Sequence, residues 1–163
     1  SVTGASGISR VGLIGRCTLR VVWKGHLMTE LQFTILGEFP ISIHKHDEMG
    51  HLCGYLGVPK AHPWYGKHYD DVGAEVHGGL TYSDPEDAGT GFPHNTGLDI
   101  WWVGFDCAHY MDITPGTDAL LQSLGRQARN VLGATYKDEA YVMRELEDLA
   151  SQAAEAEQKD MIA

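Results

Sequence analysis

The sequence predicts an α+β fold: a mixed, mostly antiparallel sheet with two C-terminal helices packed on one face. Two observations carry this expectation. Up to residue 105 the apolar side chains fall in short runs, several with a period of two, set off by glycine and proline; beyond residue 118 they recur at helical spacing. The chain of 163 residues, 43% apolar, is also long enough to bury one core, so residues 1–163 are read as a single domain.

Cys17–Trp23 (CTLRVVW) is rich in β-branched and aromatic residues and reads as a strand. Leu31–Leu36 places Leu31, Phe33 and Ile35 on one side, the mark of a half-buried strand, and Gly37 and Pro40 bracket a turn after it. His51–Val58 is a third strand whose glycines imply close backbone approach, and Pro59 stops it. A loop follows over residues 61–71, extended structure resumes over Glu75–Tyr82, and residues 83–97 read as a polar, mobile loop. Leu98–Phe105 (LDIWWVGF) is the most strand-like run and belongs inside the sheet.

Ala119–Leu132 reads as a helix through Leu120, Leu121, Leu124, Ala128, Val131 and Leu132, weakened at Gly125 by about 1 kcal/mol relative to alanine. The last helix opens at Thr135 and Asp138 and buries Val142, Leu146, Leu149 and Ala153. Residues 137–160 hold eight acids against three bases, which predicts a solvated acidic outer face.

Charge narrows the partners. Residues 1–27 carry Arg10, Arg16, Arg20 and Lys24 and no acid, a net of +4; the total of −10 leaves −14 on the remainder. An acidic body repels phosphate backbones, so nucleic acid is excluded as a partner. No apolar run approaches the roughly 18 residues of a membrane span. A small molecule, a protein or a divalent metal is the expected partner. Cys17, Cys53 and Cys107 are odd in number and far apart with no CxxC pair, which points to reduced thiols in a cytoplasmic protein. The acid-free start has the composition of a transit peptide, and Met28, where the composition changes, makes residues 1–27 a candidate leader or extension.

The chemistry concentrates in residues 54–112. His77, Asp106, His109 and Asp112 are the candidate metal ligands, since imidazole and carboxylate donors suit hard and borderline cations. Asp106, His109 and Asp112 form D-x-x-H-x-x-D at the end of the expected inner strand; on a helical turn Asp106 and His109 would share an ion. Asp70 and Asp71 are candidate general bases. In a plainer reading, His77 and His109 only hydrogen-bond loop backbone and Asp70 caps a turn. His44 and His46 share a strand face and can take an adventitious ion. Cys107 beside His109 invites a thiol nucleophile, although a small core residue is the commoner role.

His62, Trp64, Tyr65, Tyr69, Tyr82 and Trp102 form the candidate binding surface, aromatic walls around polar groups. Of the adjacent Trp101 and Trp102, one faces inward and the other outward or into a second layer. No GxGxxG, Walker loop or GxSxG elbow is present.

The motifs GYLGVP (54–59), HPWYGK (62–67), VHGGLTY (76–82) and WWVGFDCAH (101–109) together resemble a group of small proteins found in bacteriophages and other mobile elements. The resemblance covers about residues 52–149, including Tyr136-Lys-Asp138. It implies a bacterial or phage origin and a cytoplasmic home, weighs against a transit peptide, and carries no activity with it. The first expectation is a small-molecule or protein binding module built on loops 61–71 and 83–97; the alternative is a metal-dependent hydrolase built on the His/Asp cluster.

Overall fold

The computed structural model describes residues 14–23, 26–86, 99–127 and 132–163, and the side chains among them from residue 35 onward. Six strands form one sheet: β1 (Ile14–Trp23), β2 (His26–Leu36), β3 (Phe39–Lys45), β4 (Leu52–Val58), β5 (Tyr82–Pro85) and β6 (Trp101–Asp106). The helices are α1 (Tyr69–Val72), α2 (Pro115–Ser123) and α3 (Glu139–Ile162). Strand order is β1-β2-β3-β4-β6-β5, and every strand pair is antiparallel. The α+β class is thus the observed one. The parallel component is an isolated bridge between Asp112 and Thr135.

Alternation along the strands builds two cores. Phe39 and Ile41 of β3, Leu56 and Val58 of β4, and Val103 and Phe105 of β6 point to one face, where Val142, Leu146, Leu149, Ala150 and Ala153 of α3 cover them. Cys53 and Tyr55 of β4 join Ile100 and Trp102 on the other face, with Tyr82 against them. Glycines set the spacing. A β-carbon at Gly54 would sit 2.7 Å from the Phe105 ring and 3.0 Å from Val142. The close approach expected of this strand is therefore what lets β4 seat α3.

The stripe expected on the last helix is the one buried, but the N-cap is Asp138, whose side chain accepts the Tyr141 N–H, and not Thr135, which is bridged to Asp112 ahead of the helix. Several expectations need correction. The turn after β2 is Gly37-Glu38, and Pro40 already lies in β3, near the strand start where a missing N–H costs least. Residues 75–81 form no strand: Gly78 and Gly79 both take left-handed φ (67° and 85°), which breaks extended pairing until Tyr82. Of the expected polar loop at 83–97, residues 83–85 belong to β5 and 87–97 lie outside the described residues.

The helix expected over 119–132 instead begins at Pro115, whose fixed φ suits a first helical position, and ends at Ser123. Gly125 closes it with φ 68°. None of its residues is buried, and Leu120, Leu124 and Leu132 are exposed. Only α3 of the two C-terminal helices therefore covers the sheet. Ala128 and Val131 lie outside the described residues. Met28 falls within β2, and β1 pairs along β2.

Gly54→Ala should lower unfolding free energy by about 1–3 kcal/mol through overpacking at Phe105 and Val142. Leu120→Ala should change it by less than about 0.5 kcal/mol, as expected for an exposed position. Urea denaturation reads both; the reverse ranking would contradict the assigned core.

Candidate metal centre

Three of the four expected ligands come together. His77, His109 and Asp112 each offer a donor atom, and these atoms lie within 4.8 Å of one another. The chain reaches this point from three directions. His77 sits in a turn closed by the Gly79 N–H to the Val76 carbonyl at 2.8 Å. His109 and Asp112 belong to the turn that leaves β6, with the Asp112 N–H on the His109 carbonyl at 3.0 Å. Residue 112 is then held against residue 135: the Ile113 N–H donates to the Thr135 carbonyl and the Thr135 N–H to the Met111 carbonyl. Gly78 lets the two histidines meet, since a β-carbon there would lie 2.0 Å from the His109 ring.

The Asp112 side chain is 1% exposed, against 16% for His77 and 36% for His109, so the group opens to solvent on the His109 side. Asp112 Oδ2 lies 2.8 Å from His77 Nε2 and 3.3 Å from His109 Nδ1, and accepts the His109 backbone N–H at 2.9 Å. Asp112 Oδ1 faces Lys137 Nζ at 3.4 Å. Burial is the largest single influence on the Asp112 carboxyl and pushes its pKa up. The hydrogen bonds from His77 and His109 together outweigh it and hold the pKa below the ordinary value.

A polar stripe of α3 supports the other side. Glu145 Oε2 accepts the His77 backbone N–H at 2.7 Å, and the Tyr141 hydroxyl lies 2.9 Å from His77 Nδ1. Gln152 brackets Glu75 through both its backbone N–H and carbonyl, at 2.8 and 2.7 Å. Lys137 Nζ also bonds Thr135 Oγ1 and lies 5.4 Å from the Tyr141 ring centre. Sequence reasoning took this face of α3 as solvated and missed Lys137, Tyr141 and Glu145. The available signal was the spacing of Tyr141 and Glu145, four apart and flanking the apolar stripe.

Asp106, the fourth expected ligand, is elsewhere. It is still part of β6; its Oδ1 accepts the Ala108 N–H at 3.1 Å and its Oδ2 the Thr81 hydroxyl at 3.0 Å. The helical-turn argument holds for His109 and Asp112 but not for Asp106 and His109. Asp70 and Asp71 lie exposed in α1, with Asp70 3.3 Å from His68. Among the described residues neither makes a hydrogen bond or ion pair with the three donors. Cys107 is core, and burial, reinforced by Asp112, pushes its thiol up to about 12, which removes the nucleophile reading. His44 packs against Tyr55 and His46 stacks on His51; among the described residues no second three-donor group forms.

The expected aromatic surface is divided. Trp64 and His62 are buried, and Trp102 is fully buried on the second face, so these three serve packing. Trp101 is the less buried tryptophan; it packs toward the α3 face while its Nε1 donates to the Lys67 carbonyl at 3.1 Å. Tyr65 bonds Asp99, the Tyr69 N–H donates to Ser83 Oγ, and Tyr82 meets Tyr55 edge-on at 5.3 Å.

Comparison with protein-family models, curated proteins and solved structures returned no match.

His62 ties loop 61–68 to α3. Its Nε2–H donates to the Ala153 carbonyl and its Nδ1 accepts the Trp64 N–H, both at 3.0 Å, an arrangement that requires the neutral ring. Burial lowers its pKa, as it does for His51. The unfolded chain therefore takes up the proton first. The contribution to stability is complete above the unfolded value of about 6.5 and is lost as pH falls through the lower folded value. Stability should drop on acidification below about pH 6.5, and His62→Gln should flatten part of that drop, leaving the share due to His51. An unchanged pH dependence in His62→Gln would contradict the assignment.

Proposed function

We propose that the protein is a mononuclear metal-dependent hydrolase, with His77, His109 and Asp112 as its ligands. One observation carries the reading: two imidazoles from different segments converge on one buried carboxylate, on a side open to solvent. Two nitrogens and one carboxylate oxygen are the donor set of catalytic zinc-type sites, in which a fourth position is left for water or substrate. A hydrogen-bonded hub alone employs one imidazole well, His77 at 2.8 Å, and leaves His109 Nδ1 at a loose 3.3 Å. A cation gives both rings a ligand's role.

The outer contacts fit the same reading. The Lys137 ammonium offsets charge on the Oδ1 side at 3.4 Å and leaves Oδ2 toward the imidazoles, where it can ligate. A bound divalent ion would act as a Lewis acid and lower the pKa of its water toward about 7. Asp70 and Asp71 lie exposed in α1 and are given no part as general base. The alternative of a dedicated aromatic binding module is disfavoured because His62, Trp64 and Trp102 are occupied in packing.

Protein purified without a His tag or chelator should carry close to one equivalent of transition metal by elemental analysis, and His109→Ala should lose it. Adding zinc or manganese to stripped protein at 100 times the dissociation constant should stabilise the fold by about 2.7 kcal/mol. Metal-loaded protein should then hydrolyse members of a phosphoester and amide panel. Absence of bound metal, together with unchanged thermal stability on adding zinc, manganese or magnesium, would overturn the proposal.

A further inference from the structure

We propose that Tyr141 is a positioning residue of this centre: its hydroxyl sets which nitrogen of His77 carries the proton and thereby aims Nε2 at the ion. The proposal rests on the metal reading above. His77 is gripped twice by successive turns of α3. Glu145 takes its backbone N–H at 2.7 Å, and the Tyr141 hydroxyl meets its ring Nδ1 at 2.9 Å, with the two rings edge to face at 88°. The opposite ring nitrogen, Nε2, is the one 2.8 Å from Asp112 Oδ2. A histidine that ligates through one nitrogen needs its other N–H engaged by an acceptor, which fixes the ring and raises its basicity as a ligand.

A phenol suits this place because it both donates and accepts. In the proposed ion-free arrangement the Tyr141 O–H donates to Nδ1 and the Nε2–H donates to Asp112 Oδ2, the pairing that these two contacts allow. With an ion, the Nε2 lone pair is given to the metal, the ring proton resides on Nδ1, and the Nδ1–H donates to the Tyr141 oxygen. A backbone carbonyl would support only the second arrangement and an ammonium only the first. Two cations hold the tyrosine ring itself, Lys137 Nζ at 5.4 Å and the Arg144 guanidinium at 5.8 Å from its centre. Lys137 also faces Asp112 Oδ1, so residues 137–141 secure two of the three ligands from one short stretch of chain.

Tyr141→Phe tests the role, since phenylalanine retains the ring between Lys137 and Arg144 and removes only the hydroxyl. Metal-free wild type, Tyr141→Phe, Asp112→Asn and Val142→Ala are each titrated with Co²⁺, following the visible d–d bands and the stoichiometry. Wild type should bind one Co²⁺ and Asp112→Asn should not. Tyr141→Phe should bind it about 10–100-fold more weakly, with shifted bands. Val142→Ala, a core change beside Tyr141, should lower the melting temperature and leave affinity and bands unchanged; it separates loss of packing from loss of positioning. Wild-type affinity and bands in Tyr141→Phe would overturn the positioning role while leaving the metal centre intact. Failure of wild type to take up Co²⁺ would overturn the metal centre and this role with it.

Discussion

A carboxylate removed from water is the constraint around which this part of the chain is organised. Asp112 is almost wholly buried, and an isolated buried charge is costly unless it is paired and hydrogen-bonded. It recruits its compensation from separate segments: the His77 ring from the 76–79 turn, the His109 N–H and ring from its own turn, and the Lys137 ammonium from the approach to α3. Each donor arrives only if its segment is placed, so the contacts on Oδ2 and the Lys137 ion pair on Oδ1 report on the fold of all three. The same convergence leaves two imidazoles beside one oxygen, which is the geometry a cation exploits.

The placement depends in turn on α3, which uses two stripes. The apolar stripe, Val142 to Ala153, seals the sheet; the polar stripe, Tyr141, Glu145 and Gln152, takes the backbone and ring of residues 75–77. Tight glycines carry both approaches. Gly54 admits Phe105 and Val142 under the helix, and Gly78, in a left-handed conformation, admits the His109 ring beside His77. One helix thus serves both packing and chemistry, with the apolar stripe on β3 and β4 and the polar stripe on the residues around His77.

The sequence made the scaffold legible where one physical signal dominated. The stripe of α3, β4 with its close glycines, and β6 inside the sheet follow from burial periodicity. Competing signals hid the rest. Pro40 reads as a breaker, but at the start of a strand its missing N–H costs little, so β3 went unread. Apolar spacing argued for a helix through residue 132, and the backbone preference of Gly125 prevailed because no surface covers those leucines. His77, His109 and Asp112 were legible as donor types, but Asp106 was grouped with them because sequence spacing does not tell a strand end from the turn after it. Tyr141 and Glu145 showed only in their spacing beside the apolar stripe, and polar residues there read as solvated until a loop is known to dock; Lys137, just before α3, gave no signal of its own.

The most direct measurement of the central claim is X-ray absorption spectroscopy of the zinc-loaded protein, which reports what surrounds the ion rather than whether one is present. Ligation by His77, His109 and Asp112 requires a shell of nitrogen and oxygen at about 2.0–2.2 Å with the outer scattering of two imidazoles and no sulfur. A sulfur neighbour at about 2.3 Å, bringing Cys53 or Cys107 to the metal, or a shell lacking imidazole scattering, would contradict the account.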